Sequence, residues 1–305
     1  MRMLLGLLML IGIAYFPAHA LETVKVEDNI YALVGKLGQR SPANLANNAT
    51  FGVVVTSAGV VLIDAGGTAK GAAAIEAAIA SITDKKVVAV INTGGQDHRW
   101  LGNAYWKSKG ARLITSQAAT TDQKSRFDMQ WMMLQQLVGK DGLAGTEPQY
   151  AQETFDKAHD ITIGGIRFQL RHTGRAHTPG DLFVWLPQQR IVFAGDIVFM
   201  DRMLGILPAP LSASADWIKS FDAMAALNPK IVMPGHGKPG TLAKARAQTR
   251  DYLAALRKGV RVVLDRNGDM NAAAKIDQSA FAGLTGASQL AGRNAQAVFA
   301  EMEFE

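Results

Sequence analysis

Short runs of β-branched residues alternate along the chain with segments of helical spacing, and this alternation restricts the fold to sheets covered by helices. Residues 51–63 predict two strands joined by a tight turn, and residues 75–82 have helical spacing. Residues 161–168 predict a hairpin around a Gly-Gly turn. The remaining runs predict strands at 87–91, 112–115, 182–186, 190–194 and 230–233, helices at 100–109, 117–138, 215–227 and 242–264, and a loop at 139–148. No linker rich in Pro, Gly or Ser interrupts the pattern, which favours one domain with two similar halves.

The first twenty residues have the pattern of an export signal. Arg2 precedes an apolar run over residues 4–16 that is too short to anchor in a bilayer, and a small-x-small cleavage pattern ends at Ala20. We therefore expect residues 1–20 to be a signal peptide and the mature protein to be periplasmic, the alternative being a buried N-terminal helix. No later segment predicts an integral membrane helix.

Composition narrows the chemistry and the partners. The chain has no cysteine, which excludes disulfides, thiol nucleophiles and Cys-ligated metals, so a metal ion would need His, Asp or Glu. The formal net charge of +6 is modest for 305 residues, and the basic residues of the late helix predict a solvated face. We expect a small-molecule substrate and no nucleic-acid partner. The oligomeric state stays open.

Histidine and aspartate side chains follow several of the predicted strands. His98, His177 and His236 each lie in a glycine-containing loop just after a strand, and Asp196 follows the strand at 190–194. Loops at strand ends commonly carry functional groups on a rigid scaffold. Imidazole and carboxylate together suit zinc, iron or manganese. The sequence therefore predicts a metal site at the ends of these strands.

These motifs resemble those of metallo-β-lactamase-fold hydrolases over residues 21–265. The matching segments are VLIDAG at residues 61–66, DH at 97–98 followed by LGN at 101–103, HTPGD at 177–181, FAGD at 193–196 and PGHG at 234–237. The resemblance implies an α/β fold, a four-layer αββα sandwich with the metal cleft at one edge of the two sheets. It implies that Asp64 supports the site without binding metal. Residues 266–305 are predicted to be a C-terminal helical extension.

The main metal motif departs from the family pattern. The family usually has His-x-His-x-Asp-His, whereas residues 92–98 read NTGGQDH, so both leading histidines are absent and the segment is one residue short. In the family those histidines and the group matching His177 hold a first ion. The ligand set of that first site is therefore incomplete here. The second ion is expected on the residues that match its ligands, Asp97, His98, Asp196 and His236.

We expect one firmly bound zinc ion, with iron or manganese as alternatives, because two ligands rarely hold a hydrolytic zinc. A second, weaker ion on His177 and Asp196, with help from Gln96 or His172, stays open.

The expected function is water-mediated hydrolysis by a divalent ion, which lowers the pKa of its water to about 7. Asp97 is the predicted catalytic residue, because it could orient the resulting hydroxide or accept its proton. The substrate stays open, and we expect little or no β-lactam hydrolysis because the resemblance assigns activation of the lactam carbonyl to the first metal. One alternative is a catalytically reduced metal-binding accessory protein, because the arrangement also resembles exported family members associated with quinoprotein dehydrogenase systems. The other is a mononuclear iron oxidoreductase such as a persulfide dioxygenase.

Overall fold

The computed structural model describes residues 21–305, and the predicted signal peptide at residues 1–20 lies outside the described residues. One sheet has seven strands that follow chain order. Its strands are β1 Glu22–Glu27, β2 Ile30–Val34, β3 Thr50–Thr56, β4 Gly59–Ile63, β5 Val87–Ile91, β6 Arg112–Ser116 and β7 Glu153–Phe155. Pairing is antiparallel from β1 to β4 and parallel from β4 to β7.

The second sheet has five strands in the order β12-β11-β10-β9-β8. Its strands are β8 Ala158–Ile163, β9 Ile166–Arg171, β10 Phe183–Leu186, β11 Ile191–Phe193 and β12 Ile231–Met233. The predicted β8–β9 hairpin is confirmed, with Gly164 and Gly165 at φ values of 53° and 84° in its turn. Only glycine adopts such angles at low cost. β11 and β12 pair in parallel, and the other strand pairs of this sheet are antiparallel.

The two sheets pack face to face through apolar side chains. Val54, Ile63 and Ile91 of the first sheet share a buried cluster with Phe168 and Val184 of the second. The opposite faces of β3, β4 and β5 pack against helices. Strands buried on both faces are apolar throughout, which explains why their sequences are continuous β-branched runs.

Helices cover the outer face of each sheet, and the predicted αββα sandwich is confirmed. Those between β4 and β7 are α1 Ala69–Ala80, α2 Asp97–Trp100, α3 Asn103–Ser108, α4 Gln117–Leu137 and α5 Gly139–Leu143. Those after β11 are α6 Ser214–Ala225, α7 Leu242–Ala245, α8 Asp251–Asp265, α9 Met270–Ala273 and α10 Ala287–Met302. The predicted loop at 139–148 begins with α5, and a π-helical turn at Arg246–Arg250 interrupts the long helix predicted over 242–264.

The C-terminal helix α10 completes the helical layer of the second sheet. Val298 and Phe299 are buried in the same apolar cluster as Leu256 of α8. Arg257 of α8 donates to Glu301 of α10 at 3.0 Å. The predicted extension therefore packs on the sandwich, while the domain boundary at residue 265 stays a prediction. Within residues 21–305, no helix is both long and apolar enough to cross a bilayer.

Candidate metal centre

The predicted site residues lie where neighbouring strands of the two sheets end. His98 is in the single turn of α2, shortly after β5. Asp196 is in a 3₁₀ turn directly after β11, and His236 follows β12. β11 and β12 run in parallel, so their carboxyl ends meet at one edge of the second sheet. Asp64 follows β4, the parallel neighbour of β5.

Three buried side chains converge at this edge. Nε2 of His98 lies 3.3 Å from Oδ2 of Asp196, and Nε2 of His236 lies 3.3 Å from Oδ1. One ligand atom from each residue lies within 4.8 Å of the others. Two ligand atoms of a tetrahedral zinc ion with bonds of about 2.1 Å stand roughly 3.4 Å apart. The two nitrogen–oxygen separations of 3.3 Å therefore match those of ligands that share one ion.

Hydrogen bonds at Nδ1 turn both Nε2 lone pairs toward Asp196. Nδ1 of His236 lies 2.7 Å from the carbonyl oxygen of Asn48 and must carry the proton to donate to it. Nδ1 of His98 likewise donates to Oδ1 of Asp97 at 3.1 Å. Burial and the charge of Arg202 lower the pKa of His236 well below its ordinary value, so this ring is neutral near pH 7. Lone pairs that face a carboxylate form a donor set for a cation, and the Nδ1 partners are those of metal-bound histidines.

Arg99 holds Asp196 from within the protein core. Its Nη2 donates to Oδ1 of Asp196 at 2.5 Å and its Nε donates to Oδ2 at 3.1 Å. Its Nη1 donates to Asp64 at 2.8 Å. Burial alone would raise the pKa of Asp196, but the Arg99 charge and the histidine contacts keep it well below its ordinary value. Asp196 is therefore an anion with a fixed orientation.

Asp97 is outside the converging group. Its Oδ1 accepts from Nε and Nη2 of Arg40 at 2.8 and 2.7 Å and from the backbone N–H of His98 at 2.6 Å. Its buried Oδ2 has no hydrogen-bond partner among residues 21–305. Burial favours the neutral acid, yet Arg40 and His98 lower the pKa of Asp97 below its ordinary value. Asp97 is thus ionised and orients His98, and its role as a ligand stays a prediction.

His177 lines the same cleft but is not in the converging group. Its Nδ1 donates to the carbonyl of Gly205 at 2.9 Å, and burial lowers the pKa of His177 to about 4. Oε1 of Gln96 accepts from Arg126 at 3.3 Å. Nδ1 of His172 donates to the carbonyl of Asp181 at 2.8 Å. Metal binding by these three side chains stays a prediction.

The missing histidines have a packing explanation. A Cβ atom at Gly94 would lie 2.3 Å from Oδ1 of Asp181, and one at Gly95 would lie 1.8 Å from Oδ2 of Asp122. Both carboxyl groups are held in place, Asp181 by the backbone N–H and hydroxyl of Thr178 and Asp122 by Arg126. No side chain fits at either glycine without moving them.

Several arginines of the site were not predicted. Arg40, Arg202 and Arg293 line the cleft, which has a volume of about 210 Å³. Arg40 lies in a polar loop, Arg202 follows Asp196 in the chain, and Arg293 lies in the C-terminal helix. None of these positions belongs to a recognisable motif. Arg99 alone had a signal, since it directly follows the Asp-His pair. The apolar part of the wall consists of Met133, Phe199, Ile206, Leu207 and Leu290.

Comparison with known proteins is consistent with this fold and site. A family profile described as the metallo-beta-lactamase superfamily matches residues 46–236. The chain is 28% identical over 244 residues to the metallo-beta-lactamase type 2 of Elizabethkingia meningoseptica, covering 77% of this chain and 88% of that one. It is 25% identical over 191 residues to the metallo-beta-lactamase type 2 of Bacillus sp. (strain 170), covering 62% and 66%.

Two solved structures show the likeness of fold. A metallo-beta-lactamase from Pontibacter korlensis has a TM-score of 0.60 at 19% identity, covering 77% of this chain and 99% of that one. The stereoselective inverting sec-alkylsulfatase Pisa1 from Pseudomonas sp. has a TM-score of 0.73 at 18% identity, covering 92% of this chain and 50% of that one. The chain thus spans half the length of the alkylsulfatase, and identities this low indicate the fold alone.

Proposed function

Because the chain belongs to the metallo-β-lactamase superfamily, we propose that it is a hydrolase of a small molecule that uses one divalent cation held by His98, Asp196 and His236. The observation that carries this proposal is the convergence of two Nε2 lone pairs on an ionised carboxylate. Two imidazoles and a carboxylate suit zinc, with iron or manganese as alternatives. We also propose that the protein acts in the periplasm, on the sequence pattern of residues 1–20.

A single ion is proposed because the other half of the family's binuclear site is filled. Carboxyl groups occupy the space at Gly94 and Gly95. Both oxygens of Asp196 already accept from Arg99, which limits how this carboxylate could bridge two ions. Arg99 thus supplies a fixed positive charge beside the proposed ion.

The chain's own residues orient the reaction. A bound divalent cation supplies hydroxide at neutral pH by lowering the pKa of its water to about 7. Asp97 keeps the His98 tautomer fixed through Nδ1. Its lowered pKa makes it a weak proton acceptor, so we propose that its unpartnered Oδ2 orients water by accepting a hydrogen bond. His177, neutral near pH 7, contributes an imidazole to the cleft wall.

We propose that β-lactams are poor substrates, although curated relatives carry the name metallo-beta-lactamase. The side of the cleft that contains Gly94 and Gly95 offers no histidine pair to activate a lactam carbonyl. Turnover of a chromogenic cephalosporin should therefore stay near the uncatalysed rate with zinc present. Rapid zinc-dependent turnover would contradict this.

A second candidate function is a metal-binding accessory protein without turnover. The observation in its favour is the absence of both leading histidines from residues 92–98, because the first metal site of the family is then incomplete. The two candidates share the metal site and differ in hydrolysis, so metal content and activity must be measured together.

Elemental analysis of the purified mature protein tests the metal site. We expect about one equivalent of a divalent metal in the wild type and less than about a tenth in His236→Ala, since two ligands rarely hold a catalytic zinc. His159→Ala is the matched control, because His159 contacts Glu153 outside the site. Absence of metal, with no gain on adding Zn²⁺, Mn²⁺ or Fe²⁺, would overturn the proposal. One equivalent without hydrolysis of esters, amides or phosphates would favour the accessory protein.

A further inference from the structure

We infer that the cleft contains an oxyanion-binding site formed by Arg202 and Arg40, with Arg293 at its mouth. The proposed substrate would then carry a carboxylate, sulfate or phosphate group. Assigning the bound oxyanion to the substrate rests on the proposed function. The oxyanion site itself rests only on the side chains described next.

Among the described residues, Arg202 differs from Arg40, Arg99 and Arg126 in having no carboxylate partner. Arg40 pairs with Asp97, Arg99 pairs with Asp64 and Asp196, and Arg126 pairs with Asp122. Within residues 21–305, Arg202 has no ion pair of 4.0 Å or less. The carboxyl groups of Asp64, Asp97, Asp122 and Asp196 are thus already paired with other guanidinium groups.

Within the described part of the chain, the one polar side-chain contact of Arg202 is not a hydrogen bond. Its Nη1 lies 3.2 Å from Nδ1 of His236. That nitrogen carries the proton donated to the carbonyl of Asn48 at 2.7 Å, so it has no lone pair for Arg202. The guanidinium of Arg202 therefore keeps its donors free for a ligand in the cleft.

Arg40 and Arg202 flank the imidazole pair. Nη2 of Arg40 lies 3.1 Å from Nδ1 of His98, the counterpart of the Arg202 contact with His236. Burial and the charge of Arg40 lower the pKa of Arg202 to about 10, which leaves it protonated at neutral pH. Arg40 and Arg202 line the same cleft, and of the two only Arg40 has an ion-pair partner among the described residues, so the pair favours an added oxyanion. The planar fork of arginine binds such a group in a bidentate manner.

The C-terminal helix contributes to the same site. Arg293 of α10 is exposed at the cleft and has no ion-pair partner among the described residues. Its neighbour Asn294 fixes α10 to the chain after Asp196, because it accepts from the backbone N–H of Ile206 at 2.9 Å and donates to the carbonyl of Leu204 at 2.8 Å. An exposed cation at the mouth attracts an anionic ligand before it enters. α10 therefore has a role in binding as well as in packing.

Calorimetric titration with inorganic phosphate, sulfate and acetate at low ionic strength tests the inference. We expect the wild type to bind at least one of them saturably and Arg202→Gln to weaken that binding by roughly 10-fold or more, as expected for loss of a charge-assisted hydrogen bond. Arg202→Lys should recover part of the loss. Arg266→Gln is the matched control, because Arg266 is exposed, unpaired within the described chain and outside the cleft.

Each titration is performed on zinc-loaded and on chelator-treated protein, with circular dichroism to confirm folding. Binding that persists without metal and depends on Arg202 supports the oxyanion site, even if the metal analysis overturns the proposed hydrolase. Three results would overturn the oxyanion site: no saturable binding, equal weakening in Arg266→Gln, or zinc-dependent binding unchanged in Arg202→Gln. If Arg202→Gln does not fold, Arg293→Gln decides between these outcomes: weaker binding supports the site, and wild-type affinity would overturn it.

Discussion

The two halves of the candidate metal centre use buried carboxyl groups in opposite ways. In the histidine half (His98, Asp196 and His236), one carboxylate faces two imidazole lone pairs. In the glycine half (Gly94, Gly95 and Gln96), carboxyl groups fill the space above the glycines. Both halves depend on the same segment between β5 and α2. The contrast indicates that a short stretch of chain supports the proposed metal site while its glycines leave the space of the family's other site to carboxyl groups.

The carboxyl groups of the glycine half are bound to neighbouring protein groups. Asp122 forms a bidentate pair with Arg126, and Asp181 accepts from the backbone N–H of Thr178 at 2.8 Å. Neither belongs to the group whose ligand atoms converge. The variants below are designed to break or sharpen this contrast.

The largest effect is expected from removing the guanidinium that holds the histidine half. Arg99→Met leaves Asp64 and Asp196 buried without their shared cation, so the free energy of unfolding should fall by about 3–5 kcal/mol in urea denaturation. Arg112→Met, which removes an exposed pair with Glu153, should cost less than about 1 kcal/mol.

Zinc should recover more stability in Arg99→Met than in the wild type, because an ion on Asp196 would replace part of the lost charge. Equal losses in Arg99→Met and Arg112→Met would contradict the role given to Arg99. A zinc effect of the same size in both backgrounds would mean that the ion does not compensate Asp196.

A histidine placed in the glycine half should not restore a second metal site. Gly94→His forces its Cβ against Asp181 and should lower the free energy of unfolding by about 2–3 kcal/mol. Gln96→His adds an imidazole at a cleft-lining position and should cost less than about 1 kcal/mol. Denaturation and elemental analysis check both variants. A stable Gly94→His protein with two zinc equivalents would remove the contrast between the halves.

The sequence predicted the fold better than it predicted the site. The β5 prediction matched Val87–Ile91 at both ends, because a short apolar run bounded by polar residues has few other buried conformations. The strands β1 and β2 at the start of the described chain were not predicted. The short helix α5 was missed because Gly139, Gly142 and Gly145 made its segment resemble a loop.

At the site, the motifs predicted the convergence of His98, Asp196 and His236, since each follows a strand whose end is fixed by the sheet. They did not predict that Arg40 would bind Asp97 or that Arg202 would lie beside His236. Long side chains from loops reach across the fold, and no local spacing specifies where they end. The glycine pair was recognised as a missing metal motif, but its cause is a tertiary contact with Asp122 and Asp181.

The smallest effect is a pH dependence confined to the glycine half. Burial and the charge of Asp196 raise the pKa of Asp181 to about 8 in the folded protein, above its value of about 3.9 in an unfolded chain. Between these two values the folded state holds a proton that the unfolded state lacks, so the free energy of unfolding falls as pH rises. The pKa of His177 is lowered to about 4 in the folded protein, so its titration makes the free energy of unfolding rise with pH, mainly below about pH 6.5.

Between pH 6.5 and 8, the wild type should therefore lose about 1.5 kcal/mol that Asp181→Asn does not lose. Urea denaturation at several pH values measures this difference. Parallel curves for the two proteins would mean that Asp181 is ionised when folded. The glycine half would then hold an unneutralised carboxylate able to attract a cation, and the contrast with the histidine half would reduce to the absence of histidine from residues 92–96.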